Sequence, residues 1–257
     1  MYDLPALETA LSNSIYASKL HFLPVTGSTN VDALAAARSG APHGTVFFAD
    51  EQTAGRGRGD HTWLSAAGQG LYVTVLLRPA LPSARLPLLP LAAGLAAVEA
   101  IRQASGLTSD LRWPNDLLID ERKTGGILSE AQTDSGLVSY AAIGIGINVH
   151  QGQFASGLAT PATSLDLETG GAISRQHLLI ALLESLERET RVLAGPDAAS
   201  IPQRAEQAST WMHGRRVEVH GPQACTGVTE GLDENGFLLV RTAEGLVRVQ
   251  TGGVRAA

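Results

Sequence analysis

Apolar residues recur every three to four positions across residues 86–104, an alanine-rich run that ends at Gly106 and predicts a long helix. Residues 174–193 predict a second long helix, stopped by Gly195-Pro196. A third should begin after Gly27-Ser28-Thr29-Asn30, where three N-cap residue types precede the run VDALAAAR, and stop near Gly40. Between these helices lie β-branched and aromatic runs at residues 21–25, 45–50, 70–77, 109–113, 117–119, 123–130 and 137–149, each read as a strand. Residues 1 to about 20 form a short amphipathic lead-in, and residues 150–163 are polar, glycine-rich and weakly patterned, as in a mobile loop.

After about residue 213 the texture changes. Short strands at 216–219, 225–232, 237–241 and 246–250 alternate with turns at Gly221-Pro222, Glu234-Asn235-Gly236 and Glu244-Gly245, which predicts a small β-barrel. The expected division is therefore a domain over residues 1–212 and a small barrel over 213–257. Strands and helices in the first part do not alternate strictly, so the fold class is α+β.

Composition narrows the function classes. The 257 residues allow one large domain or two smaller ones, and 44% apolar with 17% charged residues is ordinary for a folded globular chain. A net charge of −6 gives no global field toward nucleic acid or an anionic membrane, so neither is an expected partner, and any anion site must be built locally. Cys225 is the only cysteine, which excludes an intrachain disulfide and a cysteine-based zinc site and fits a cytoplasmic location. No signal peptide is legible, and the longest apolar stretch, residues 86–101, is interrupted by Pro87, Pro90 and Glu99.

Four fragments carry candidate chemistry. Ser28, Thr29 and Asn30 at a helix start either cap that helix or hydrogen-bond a polar ligand head. The loop Glu51-Gln52-Thr53-Ala54-Gly55-Arg56-Gly57-Arg58-Gly59 presents two guanidinium forks on a flexible backbone, suited to phosphate or carboxylate oxygens, and Trp63 downstream could wall a site or belong to the core. In the segment RWPNDLLIDERKTGGILSE, Lys123 stands beside Gly125 and Gly126, so an ammonium and a bare backbone can approach one anion together. A hairpin with a surface lysine fits the same residues. Asn115 and Asp116 either orient Lys123, hold a metal or cap the turn. The alternating glycines Gly144 and Gly146 leave room for a flat ligand against a strand that ends at Asn148. The third glycine of a dinucleotide fingerprint is missing, and no Walker A, His-Glu-x-x-His or Gly-x-Ser-x-Gly pattern occurs.

GSTN, QTAGRGRG…W, RWPND…K-x-GG-IL-x-E and GIGIN-V, in this order, resemble the biotin protein ligases over residues 21 to about 165, and more weakly through the C-terminal part. The resemblance implies a central mixed β-sheet flanked by helices, akin to class II aminoacyl-tRNA synthetases, with a small Src-homology-3-like barrel. It implies ATP and Mg2+ with biotin as substrate, a biotinyl-5′-AMP intermediate, and a biotin carboxyl carrier protein domain, expected to be that of acetyl-CoA carboxylase, as partner. By motif, Ser28, Thr29, Asn30, Gln52, Gly55, Arg56, Gly57, Gly126, Gly144 and Gly146 would hold biotin or its adenylate. Lys123 and Arg58 would be catalytic as well as substrate-binding. Trp63, Asn115 and Asn148 would face the nucleotide, and residues 150–163 would order around adenine. The metal ligands are not assigned. Family members pair through exposed sheet edges, so a homodimer is an expectation that the sequence does not locate.

Two departures stand out. The family loop carries further basic residues where this chain has Gly59-Asp60-His61-Thr62-Trp63, and Arg112 replaces the lysine usual before the Trp-Pro-Asn-Asp turn. Some members carry an N-terminal DNA-binding domain, and the roughly twenty residues before the first core strand leave no room for one, so a monofunctional ligase is expected. A lipoate ligase-like enzyme or a non-catalytic biotin-binding regulator are the alternatives. Retention of both Arg58 and Lys123 speaks against the regulator.

Overall fold

The computed structural model describes residues 2–59 and 61–257. Asp60, half of one departure, lies outside them. The chain opens with helix α1 (Leu4–Ala10), strand β1 (Leu20–Thr26), helix α2 (Thr29–Arg38) and strands β2 (Thr45–Gln52) and β3 (Gly70–Leu77). Helix α3 (Leu89–Ser105) then leads to β4 (Asp110–Arg112), β5 (Asp116–Ile119), β6 (Arg122–Asp134) and β7 (Leu137–Asn148). Helices α4 (Leu165–Thr169), α5 (Arg175–Ala194) and α6 (Ile201–Gln207) complete the first part.

Seven strands form one sheet in the order β1-β2-β3-β7-β6-β5-β4. The β1–β2 pair is parallel and the others antiparallel, so the sheet is mixed. Every residue of β3 is buried, as expected of a central strand covered on both faces. Val73, Val75, Phe48, Ile143 and Ile145 belong to the core that α3 and α5 close over one face, while α2 covers part of the other. Pro87 and Pro90 explain why α3 starts later than its apolar pattern. Residues Ser83–Leu88 form a 3-10 turn around Pro87, and Pro90 takes the first turn of the α-helix. Gly106, at φ 73°, caps the far end of α3 in the left-handed conformation. The stretch Ser83–Ser105 is long and apolar enough to cross a membrane, but much of it is buried in this core.

The remaining differences from the sequence expectation are local. Helices α1, α4 and α6 span only 7, 5 and 7 residues, too few for a period to register. Strand β6 runs four residues past its apolar pattern, because Ala131–Asp134 are exposed and held only by pairing with β7.

From His213 a second sheet follows: β8 (His213–His220), β9 (Cys225–Leu232), β10 (Leu238–Thr242), β11 (Gly245–Val249) and β12 (Gly253–Ala256). These strands are antiparallel in the order β11-β10-β9-β8-β12, with no β11–β12 pairing among the described residues. The two sheets are joined through the Trp-Pro-Asn-Asp turn, whose buried Trp113 donates its indole N–H to Gly236 O at 3.1 Å.

Candidate functional site

Residues paired directly across neighbouring strands point to the same face of a sheet. Thr74 pairs with Gly144, Gly144 with Leu128, and Gly126 with Gly146, so these positions share the face turned away from α3. The start of α2 lies on that face. Thr74, fully buried, has its hydroxyl 2.6 Å from Asn30 Oδ1 and 2.8 Å from Thr29 Oγ1. Asn30 Nδ2 donates to Glu130 Oε2 at 2.9 Å, and Thr29 N donates to Gln52 Oε1 at 2.9 Å. Gln52 Nε2 donates in turn to Ser65 Oγ at 2.8 Å. Ser28 occupies the N-cap position, but its side chain makes no capping bond, so its hydroxyl is not committed to the helix. Four polar residues named from sequence, Ser28, Thr29, Asn30 and Gln52, are thus gathered at one end of the face. Glu130 closes the K-x-GG-IL-x-E fragment without a role being read for it, and the buried Thr74 carried no signal inside an apolar strand.

The arginine loop folds back on itself. Gly57 N donates to His61 O at 2.7 Å and Trp63 N to Gly55 O at 2.9 Å. A Cβ at Gly55 would overlap Trp63 O, so only glycine permits the reversal. The fold of the loop delivers Trp63 onto the glycine face. A Cβ at Gly146 would lie 2.5 Å from Trp63 Nε1, and one at Gly144 would overlap Asn30 Oδ1. These glycines therefore leave the space in which the protein's own Trp63 and Asn30 lie against the strand. The Trp63 indole N–H is buried without a partner, and Lys123 Nζ lies 5.5 Å from its ring centroid.

The two arginines have different partners. Arg56 pairs with Glu130 at 3.2 Å. Arg58 instead reaches the second sheet, donating to Thr251 Oγ1 at 3.0 Å and to Gly252 O. Its half-buried position lowers the guanidinium pKa, while the charge of Asp116 opposes the shift.

Lys123 stands at the other end of the face. Its Nζ lies 2.6 Å from Asp116 Oδ1, and Arg112 Nη2 donates to Asp116 Oδ2 at 2.6 Å. Burial alone would raise the Asp116 pKa, but the charges and hydrogen bonds of Lys123 and Arg112 outweigh it and hold the carboxyl below its ordinary value. The Lys123 backbone is held as well. Its N–H donates to Pro161 O at 2.7 Å, and its carbonyl accepts from Thr163 N at 2.9 Å, so the end of the 150–163 segment is stitched to the lysine itself.

Two expectations are placed elsewhere. Asn115 donates its side-chain amide to Ile127 O at 2.7 Å while its own carbonyl accepts from Ile127 N, a clasp on β6 rather than a group aimed at the site. Asn148 is buried, donates to Thr163 O at 3.0 Å and accepts from Gln151, holding the segment after β7. Among the described residues no three His, Cys, Asp or Glu side chains gather closely enough to hold a metal.

One face of the mixed sheet thus carries polar hydrogen-bonding groups at one end and a carboxylate-held lysine at the other, with Trp63 against the glycines between them. Residues 22–148 match the biotin/lipoate A/B protein ligase family, and residues 212–254 match the biotin protein ligase C terminal domain. The bifunctional ligase/repressor BirA of Bacillus subtilis is 34% identical over 248 residues, covering 95% of this chain and 76% of that protein. The biotin–[acetyl-CoA-carboxylase] ligase of Mycobacterium tuberculosis is 34% identical over 244 residues, covering 92% of this chain and 88% of its own. The structure of the Aquifex aeolicus biotin protein ligase in complex with biotin and ATP superposes with a TM-score of 0.82 at 30% identity, covering 93% of this chain and all of that one. The chain belongs to the biotin protein ligase family.

Proposed function

We infer that this protein is an ATP-dependent biotin ligase that attaches biotin to a lysine of a biotin carboxyl carrier protein, the carrier of acetyl-CoA carboxylase being the expected acceptor. The observation that carries the reading is the lysine held by a buried carboxylate at one end of a hydrogen-bonding, glycine-bearing face. In the first step a biotin carboxylate oxygen attacks the α-phosphorus of ATP and pyrophosphate leaves, giving biotinyl-5′-AMP. In the second, the acceptor lysine amine attacks the biotinyl carbonyl, an amide forms, and AMP leaves with the bonding pair. Neither step needs a protein nucleophile.

In this reading Ser28, Thr29, Asn30 and Gln52 bind the polar head of biotin, and the face between Gly144 and Gly126 carries its chain. Trp63 walls the path between Gly146 and Lys123. Lys123 neutralises charge where carboxylate meets α-phosphate, while Arg56 and Arg58 close the loop over the adenylate. Magnesium enters with the phosphates of ATP. Asn115 and Asn148 support the nucleotide end indirectly, by fixing β6 and the 150–163 segment. The small sheet from residue 213 forms a second domain against which the loop closes. The proposed homodimer would form through an exposed sheet edge, for which the outer side of β6 at residues 128–134, beyond its pairing with β5, is the candidate. A cytoplasmic location accords with the single cysteine and with the need for ATP and the carrier.

The test is incubation with a purified carrier domain, MgATP, biotin and lipoate in competition, followed by mass spectrometry. The reading requires the mass increment of biotin on one carrier lysine. Lipoylation, or biotin bound without any transfer, would overturn it.

A further inference from the structure

Arg112 is the only buried Lys or Arg among the described residues, with 5% of its surface exposed. Its Nη2 donates to two groups, Asp116 Oδ2 at 2.6 Å and Thr160 Oγ1 at 2.9 Å. Its guanidinium carbon lies 5.1 Å from the centroid of the Trp211 ring, just before the second sheet begins. Arg215 packs on the same ring at 4.1 Å and pairs with Glu121 in the β5–β6 turn, which fixes the indole in place. The Nε of Arg112 is buried without a partner. A buried donor left unmade costs stability, so packing alone is a poor account of an arginine here.

Lys123 and Asp116 by themselves sum to no net charge, an unsuitable end for a site that receives a carboxylate and a phosphate. With Arg112 the trio carries one net positive charge. The geometry also divides the carboxylate, with Oδ1 facing Lys123 and Oδ2 facing Arg112. Without the second cation both oxygens are free to turn on the lysine and draw its ammonium away from the ligand.

Through Thr160 the same guanidinium grips the 160–163 segment, which the Lys123 backbone holds from the other side. We propose that Arg112 is a positioning residue for the reaction at Lys123, keeping Asp116 from cancelling the lysine charge and clamping residues 160–163 beside it. A lysine could reach Asp116, but its point charge cannot also lie flat on Trp211 and contact Thr160. The proposal rests on the ligase reading of this site.

The full-length protein is compared with Arg112→Met and Arg112→Lys by biotin-dependent exchange of labelled pyrophosphate into ATP, with thermal unfolding in parallel. In Arg112→Met, kcat falls between about 10- and 100-fold, while KM for biotin stays within about twofold. Arg112→Lys recovers part of kcat. An unchanged kcat in Arg112→Met, or a rise in KM alone, overturns the proposal. If Arg112→Met does not fold, Arg112→Lys decides the matter: a lowered kcat at wild-type melting temperature supports the proposal, and wild-type kcat overturns it. Calorimetric binding of pyrophosphate alone separates this inference from the ligase reading. Weaker binding by the folded variant supports the charge argument even if the wild type shows no exchange with biotin, and unchanged binding overturns it.

Discussion

Lys123 Nζ lies 2.6 Å from Asp116 Oδ1, across the hairpin formed by β5 and β6. The two are not register partners, since Asp116 lies opposite Gly126 and Lys123 opposite Leu118; the lysine side chain instead runs along β6 past Gly126, where no Cβ blocks it, to reach the carboxylate. An ammonium held in this way has lost rotamer freedom before the ligand arrives, the condition under which a cation stabilises developing charge most effectively.

Removing the cation should therefore affect chemistry more than folding. Lys123→Ala is expected to lower biotinyl-AMP formation about 10²–10³-fold, the usual effect of deleting one preorganised charge-stabilising group, with an unchanged circular dichroism spectrum. Normal pyrophosphate release by that variant would remove Lys123 from the mechanism.

Asp116 sets a pH dependence. Its folded-state pKa is below the ordinary 3.8, so the unfolded chain binds its proton more readily. The stability this carboxylate contributes is fully present above about pH 4 and is lost as pH falls through the lowered folded value. Asp116→Asn should be less stable at pH 7 yet lose less on acidification below about pH 4. Denaturant midpoints at pH 7 and pH 3 would show this, and parallel losses in the two proteins would contradict it.

Arg58 joins the loop to the second sheet through Thr251 and Gly252. Arg58→Ala should release that end of the loop, raising the dissociation rate of biotinyl-AMP and spreading label to proteins other than the carrier. Stopped-flow dissociation of the adenylate is the measurement, and an unchanged rate would argue that the Thr251 contact does not restrain the loop.

Thr74→Val leaves Asn30 Oδ1 without its buried donor and should destabilise the fold by about 1–3 kcal/mol. Because Asn30 and Thr29 lose a common anchor, biotin affinity should fall as well. Calorimetric titration of biotin into the folded variant tests this, and wild-type affinity would show that the cluster is held by Glu130 and Gln52 alone.

Much of the architecture is legible in the chain. The alanine-rich period of α3, the uninterrupted apolar run of β3 and the N-cap residues before α2 are local signals, and the elements stand where those signals place them. So are the chemical types of Ser28, Thr29, Asn30, Gln52, Arg56, Arg58 and Lys123, because short polar and glycine-rich segments between apolar runs advertise themselves. Tertiary structure decided the partners. Thr74 reads as an ordinary strand residue until strand order sets it under Asn30, and Thr160 reads as loop until Arg112 reaches it. Gly144 and Gly146 read as open space against a strand, and Asn30 and Trp63 lie in that space. Asn115 reads as a ligand group until its amide closes on Ile127. The division has a physical cause. Element type follows from backbone preference and hydrophobic period within a few residues, whereas the contacts of Thr74 with Asn30 and of Arg112 with Thr160 join segments 44 and 48 residues apart and depend on strand order and register.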